Sequence, residues 1–210
     1  MVIPCKMLSN ITKTLPDAPV TFELSERQVL IGCEKSSFRL NTLDVNDFPE
    51  FPAYAIEGAV ELPTDILSEM VGRVWRVTST DKARPILGGV HMKVENNTVR
   101  LVATDSFRLA VCDTQVETST LEGSFELNVP ADAFNDALNI MASQATIMIG
   151  ATDTQVVFEA GNTTYVSRRI EGVYPNYKQL IPDSCVTSVK IDVAAFNAAL
   201  KRVAVIASAN

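Results

Sequence analysis

The side chains able to do chemistry are few and scattered. His91 is the only histidine among 210 residues. That removes mechanisms needing two imidazoles, such as a His-rich zinc site or a metalloprotease helix. Asp44, Asp47 and Glu50 lie close enough in sequence to share a cation, but the stretch reads as a loop, where solvated acids commonly shape turns. Ala103-Thr104-Asp105 and Ala151-Thr152-Asp153 are alike. Each triplet is expected to close a strand by a side chain–backbone hydrogen bond at a turn, and neither Asp to catalyse. Cys5, Cys33, Cys112 and Cys185 form no CxxC pair, and are expected as free, buried thiols of a reducing cytoplasm. Gly88-Gly89 lacks the GxxxxGK frame of a phosphate loop, and no GxSxG elbow occurs. His91 falls at an outward strand position and is expected at the surface, whereas Trp75, on a helical stripe, is expected in the core.

The composition sets the frame for any site. Hydrophobic residues make up 47% of the chain and charged residues 20%, enough to bury a core. Eighteen Lys and Arg against 25 Asp and Glu give a net charge of −7. That argues against a tight, wrap-around binder of phosphate backbone, which shows a basic face. A few gathered cations stay compatible with it. No apolar run reaches the roughly 18 residues of a membrane span, and the N-terminus lacks the plan of a signal peptide.

Periodicity supplies the elements. After Pro63, Ile66, Leu67, Met70, Val71, Val74 and Trp75 recur at helical spacing, with one face to bury. Pro63 suits the first turn, where its missing N–H has no partner. Similar spacing predicts helices from about Ala131 to Met141, from Val193 to Ala207 and from Cys5 to Leu15. In the Val193 helix, Phe196, Ala199, Leu200, Val203 and Ile206 are expected to face inward. Strands are expected at Val20 to Leu24, Leu30 to Cys33 and Phe38 to Leu43. Val90 to Val94 and Val99 to Thr104 should flank an Asn96-Asn97 hairpin turn. A further meander covers Thr146 to Ile149, Gln155 to Glu159 and Thr164 to Arg168.

The sequence also repeats. Phe48-Pro49-Glu50-Phe51 recurs as Tyr174-Pro175-Asn176-Tyr177, and Ile3-Pro4 as Val129-Pro130, both 126 residues apart (174 − 48 and 130 − 4). Val60-Glu61-Leu62 recurs as Val189-Lys190-Ile191, and Arg73-Val74 as Arg202-Val203, both 129 apart (189 − 60 and 202 − 73). Pro63 and Pro130 give an echo at 67 (130 − 63), about half that period. A domain-sized repeat of two half-units follows, each a strand, a helix and three strands. One complete domain, about 58–184, would be flanked by the tail of a preceding domain and the head of a following one.

Three ordered motifs go beyond this generic plan. They are S-x-D-x-x-R-P-I-L-x-G from Ser79, L-V-A-T-D-x-x-R-L-A from Leu101, and S-R-x-I-E-G-x-Y-P-x-Y-x-x-L-I-P from Ser167. Together with FRLNTLDVNDFPEFP at residues 38–52, the set closely resembles the bacterial sliding clamps, the beta subunits of DNA polymerase III. The resemblance covers essentially the whole chain. It implies an α+β clamp fold of duplicated β-α-β-β-β units, with helices on one face and sheets on the other. It places residues 1–57 as the C-terminal half of clamp domain one, 58–184 as a complete domain two, and 185–210 as the first strand and helix of domain three. It further implies a non-enzymatic cytoplasmic protein without cofactor or metal. Two full-length subunits would join head to tail in a ring around double-stranded DNA, with no membrane association. The implied partners are the DNA polymerase III catalytic subunit, the clamp loader and other proteins carrying a clamp-binding peptide.

In that family a short partner peptide enters a pocket between domains two and three. By motif position, the domain-two side here would be Arg84 and Leu87, then Thr104, Arg108 and Leu109, then Pro175 and Leu180. The four apolar members could line a cavity for aliphatic or aromatic anchors, with Thr104 and the arginines at its rim. An ordinary core would use the same four. Ser106, Phe107 and Gln179 complete the site; they stand where the family usually has Gly, where His is frequent and where Arg occurs. The implied DNA-facing cations are Lys6 and Lys13 on the first helix, Arg73 and Arg76 after Pro63, and Lys201 and Arg202 on the last helix. Solvated helix faces, with Glu69 and Arg73 as an i, i+4 pair, would leave the same residues exposed. The Ala131-Asp132 turn departs from a family position that is often basic. Two rival readings are a protein-interaction scaffold without a DNA role and a carboxylate–metal hydrolase built on Asp44, Asp47 or Asp105.

Overall fold

A computed structural model describes residues 1–50, 59–116 and 124–207. The chain divides into two compact units, Met1–Tyr54 and Ala55–Asn210. In the first, α1 (Cys5–Thr12) precedes an antiparallel sheet of β1 (Val20–Ser25), β2 (Gln28–Cys33) and β3 (Ser36–Asn41). Strand β2 alternates between buried and half-buried positions. Its Val29 and Ile31, with Leu40 of β3, form a small core against Ile3, Leu8 and Ile11. Strand β1 is exposed along its whole length, including Phe22 and Leu24.

The second unit contains β4 (Ala59–Pro63), α2 (Thr64–Val74), β5 (Gly89–Glu95), β6 (Thr98–Thr104) and β7 (Leu109–Gln115). It repeats the series with β8 (Ser124–Pro130), α3 (Ala131–Ile140), β9 (Thr146–Ala151), β10 (Gln155–Ala160) and β11 (Thr163–Arg168). The two halves exchange their first strands. The sheets run β11-β10-β9-β4 and β7-β6-β5-β8, antiparallel throughout. Pro63 pairs with Thr146, and Pro130 with Gly89. Each half therefore closes the other's sheet.

Local chemistry explains these joints. Pro4, Pro63 and Pro130 all stand at the N-cap, with φ near −59, −59 and −53° and ψ of 109, 127 and 130°. The expectation of Pro63 inside the first turn is corrected by one residue. The ring fixes φ, and the absent N–H costs nothing where strand gives way to helix. Asn96 and Asn97 adopt φ of 49 and 60°, the left-handed pair that a two-residue hairpin requires and that Asn tolerates. At Gly89 an added Cβ would lie 2.7 Å from Ile170 Cδ1 and 2.9 Å from the Val129 carbonyl oxygen. Only glycine lets β5 and β8 approach there.

Helices α2 and α3 pack against each other and against the sheets. They bury Leu67, Met70, Val71 and Val74 from one, and Phe134, Ala137 and Leu138 from the other. Phe134 meets Phe158 with ring centroids 5.6 Å apart, a tilted pairing favoured by aromatic quadrupoles. Half-buried Trp75 packs on this core. Helix α4 (Val193–Ala207) has the expected span but buries no side chain. Its apolar stripe is exposed, Phe196 by 48% and Val203 by 65%, because no sheet among the described residues covers it. Val189 to Ile191 form no strand, since a strand needs a hydrogen-bonded neighbour and none is described beside them. Cys33 and Cys112 are buried thiols as expected, whereas Cys5 and Cys185 are exposed. None of the described helices is long and apolar enough to cross a membrane.

Candidate functional site

The turn between β6 and β7 is built from its own side chains. The Thr104 hydroxyl donates to the Arg108 carbonyl (2.8 Å) and accepts from the Ser106 N–H (3.1 Å). Asp105 accepts from the N–H groups of Phe107 and Arg108, both at 3.0 Å, and from Arg108 Nε at 2.9 Å. Those backbone donors, foremost Phe107, hold its carboxyl below the ordinary range because they favour the ionised form. Asp105 thus serves the turn, as expected. In the matching turn after β9, Thr152 does the work instead of Asp153. Its hydroxyl accepts from Thr154 and Gln155 N–H at 3.4 and 3.0 Å.

Ser106 holds a φ of 79°, a left-handed conformation that costs an L-residue of order 1–2 kcal/mol. Arg84 reinforces it: Nη1 donates to Ser106 Oγ at 2.8 Å while Nε donates to Asp81 Oδ2 at 3.1 Å. Arg108 extends the network, its Nη2 reaching the Arg76 carbonyl at 3.1 Å. Turn and helix end are thereby linked.

Beside this polar rim lies an apolar cluster. Val102, Tyr174 and Tyr177 are buried, and Ile86 and Leu109 pack against them. A short 3-10 helix, Tyr177–Leu180, follows. Leu180 on it is 65% exposed, and Pro175 and Gln179 are exposed nearby in sequence. Phe107 stands 93% exposed. Leu87 is only 5% exposed, so its side chain belongs to the interior and not to an open surface. The structure thus brings Arg84, Thr104, Ser106, Arg108 and Leu109 together directly. Segment 174–180 joins them through Tyr174 and Tyr177. Sequence reasoning missed Ile86, Val102 and these two tyrosines as parts of the cluster. The signal for the tyrosines was the aromatic-Pro-x-aromatic repeat.

The expectation for His91 is overturned. It is 5% exposed and lies under the 170–180 segment. Its Nδ1 is 2.9 Å from Asn128 Oδ1, and its ring stacks on Tyr174 with centroids 4.8 Å apart. Burial pushes the Tyr174 phenol up to about 12, with the Thr104 backbone acting in the other direction; its hydroxyl makes no hydrogen bond of good geometry. A shallow cavity of about 340 Å³ opens beside His91 and Tyr177, walled by Lys93, Arg100, Glu126 and Lys178. Arg100 there is held by Asp113 through bonds of 2.7 and 2.6 Å.

The expected DNA-facing cations are all exposed. Arg73 pairs with Glu69 one turn earlier on α2, as the i, i+4 reading anticipated, and Glu69 raises its pKa. The Arg76 guanidinium lies over the Trp75 ring, 5.5 Å from its centroid. Lys13 is the residue after α1. Lys201 and Arg202 lie on the uncovered α4. The exposed face of α3 carries Asp132 and Asp136 and no cation. Among the described residues no group of three or more His, Cys, Asp or Glu is placed to hold a metal ion. Asp44 instead caps a short 3-10 turn, accepting from the Asn46 N–H at 2.9 Å.

Comparison with known proteins gives one answer. Residues 61–176 match the model of the DNA polymerase III beta subunit central domain, and residues 1–52 that of its N-terminal domain. Over 209 residues the chain is 32% identical to the beta sliding clamp of Bacillus subtilis, covering 99% of this chain and 55% of that protein. Over 211 residues it is 33% identical to the beta sliding clamp of Synechococcus elongatus, covering 99% and 56%. The chain thus spans about half the length of these curated relatives. The crystal structure of the DNA polymerase sliding clamp from Bacillus subtilis superposes with a TM-score of 0.77 at 34% identity, over 87% of this chain and 48% of that one. That of the DNA polymerase III beta subunit from Thermotoga maritima gives 0.74 at 26% identity, over 87% and 49%. The exchanged β-α-β-β-β halves and both family models agree: this chain belongs to the DNA polymerase III beta subunit family, the beta sliding clamps.

Proposed function

We propose that the chain works as part of a processivity ring, which encircles duplex DNA and tethers the replicative polymerase by capturing a short peptide. Residues 1–57, 58–184 and 185–210 would be the end of one clamp domain, a whole second domain and the opening of a third. The observation that carries the reading is the joining of the β6–β7 turn, Arg84 and the 174–180 segment around one apolar cluster. Aliphatic or aromatic anchors would cover Leu109 and Leu180, while Arg84 and Arg108 meet the peptide's polar groups. Thr104 would act by shaping the turn, and Leu87 by supporting the site from within. The cations Lys6, Lys13, Arg73, Arg76, Lys201 and Arg202 would meet phosphates loosely and without reading bases, which suits sliding. Net negative charge fits a ring held on DNA by topology and not by tight ion pairing. The protein would act in the cytoplasm as a head-to-tail homodimer, without cofactor or catalysis of its own.

The test is retention. The product of the intact gene, loaded onto nicked circular plasmid by an ATP-driven loader, should co-elute with that DNA on gel filtration and be lost once the plasmid is linearised. Retention indifferent to linearisation would rule out the topological mechanism.

A further inference from the structure

We infer that His91 and Asn128 are positioning residues that fasten the 170–180 segment and so set the place of the pocket wall carrying Pro175 and Leu180. The inference rests on the peptide-pocket reading above. His91 on β5 and Asn128 on β8 are direct cross-strand partners, so their side chains emerge on the same face. Asn128 Nδ2 donates to the Gly172 carbonyl at 3.0 Å. Its Oδ1 is therefore the acceptor toward His91, and His91 Nδ1 carries the proton in the 2.9 Å bond. The Asn128 carbonyl also accepts from the Ile170 N–H at 3.1 Å. One residue thus grips the chain at 170 and 172, on either side of Glu171. Gly172 turns there with φ of 115°, a conformation that side chains beyond glycine rarely adopt. Two residues later Tyr174 lies flat on the His91 ring, with an interplanar angle of 15°, and Tyr177 tilts against it at 6.3 Å.

An aliphatic pair at 91 and 128 would fill this space without the cost of burying polar groups. A polar pair bonded to each other and to the Gly172 carbonyl fixes one placement of the overlying segment, where an apolar contact would tolerate several. The placement matters because Tyr174 and Tyr177 are also members of the cluster that supports Leu109. Fastening the tyrosines from below fixes Pro175 between them and Leu180 after them.

Asn128→Asp keeps the acceptor for His91 but cannot donate to Gly172, and sets a carboxylate oxygen against its carbonyl. Amide hydrogen exchange on the 210-residue chain should accelerate about tenfold at Ile170 and Tyr177, whose N–H groups donate to the Asn128 and Pro175 carbonyls, the loss expected for one buried hydrogen bond. Exchange in β10 should stay unchanged. His91→Asn, whose Nδ2 can replace Nδ1 as donor, should keep exchange slow, whereas His91→Phe should not. Unchanged exchange in Asn128→Asp overturns the fastening. The second readout is affinity for a fluorescein-labelled peptide with adjacent leucine and phenylalanine, which should weaken about tenfold in Asn128→Asp. Leu109→Asp is the control for the pocket itself. If that control abolishes binding while Asn128→Asp binds like the parent, the positioning role is overturned and the pocket stands. If Leu109→Asp also binds like the parent, the pocket reading falls and the positioning role with it.

Discussion

Truncating Leu180 to alanine should weaken peptide capture without unfolding the protein. The side chain keeps 65% of its surface in water, so most of its transfer free energy is still available to a ligand. Full burial of a leucine is worth about 1.5–3 kcal/mol, and two-thirds of that is about 1–2 kcal/mol. At 1.4 kcal/mol per factor of ten, Kd should rise roughly 5- to 30-fold. The fold loses little, because few of the removed atoms are packed, and stability should move by less than about 0.5 kcal/mol. Fluorescence anisotropy with the labelled Leu-Phe peptide measures the first quantity, and urea unfolding followed through Trp75 the second. Leu87→Ala supplies the opposite pattern. With 5% exposure it should cost about 2–5 kcal/mol of stability. A Kd within twofold of the parent for Leu180→Ala, or a weaker Kd accompanied by a stability loss above about 1 kcal/mol, would refute the assignment of Leu180 to an open pocket wall.

Ser106→Gly should be more stable than Ser106→Ala by about 1 kcal/mol in urea unfolding, since both lose the Arg84 bond but only glycine accepts a φ of 79° freely; equal stabilities would show that no strain resides there. Gly89→Ala should destabilise by about 1–3 kcal/mol, because its Cβ meets the immobile Val129 carbonyl at 2.9 Å, and a parent-like thermal midpoint would contradict that close approach. Alkali should unfold the protein by way of Tyr174. Its folded phenol titrates near 12 and its unfolded phenol near the ordinary value of about 10, so its contribution is complete below pH 10 and is lost as pH rises through that interval. Tyr174→Phe should flatten this decline, measured as urea midpoint against pH, and an unchanged slope would exclude the tyrosine as its source.

Helix spans and hairpin turns were legible in the sequence because their signals are local. The 3.6-residue stripe after Pro63, the capping prolines and Asn96-Asn97 each depend on a few neighbouring residues. Burial was less legible, because it depends on what lies above a face. Alternation along β5 assigns His91 outward, yet residues 89–92 are buried on both sides, the second side by a segment some eighty positions away. Likewise the α4 stripe reads correctly as apolar and still faces solvent, since period identifies a face and not its cover. Turn closure by Ala-Thr-Asp was legible, and which of its side chains accepts, Asp105 with Thr104 in one turn and Thr152 in the other, was not. Resemblance singled out Leu109 and its motif neighbours, but that Val102 and the two tyrosines share a cluster with it is visible only in the fold. A hydrophobic residue in a strand does not announce which of its neighbours shares a cluster.

The trading of β4 for β8 makes neither half of the second unit self-sufficient. A piece spanning residues 59–116 would own one helix and four strands, with its opening strand, β4, paired to nothing. One starting at Ser124 would have the mirror defect. Mixed, each supplies what the other lacks, so the two pieces should recombine as an obligate heterodimer. In the intact chain the exchange forces Pro63 to await Thr146 before its sheet can close. Long-range closure of that kind slows folding, and it ties the unravelling of one half to that of the other.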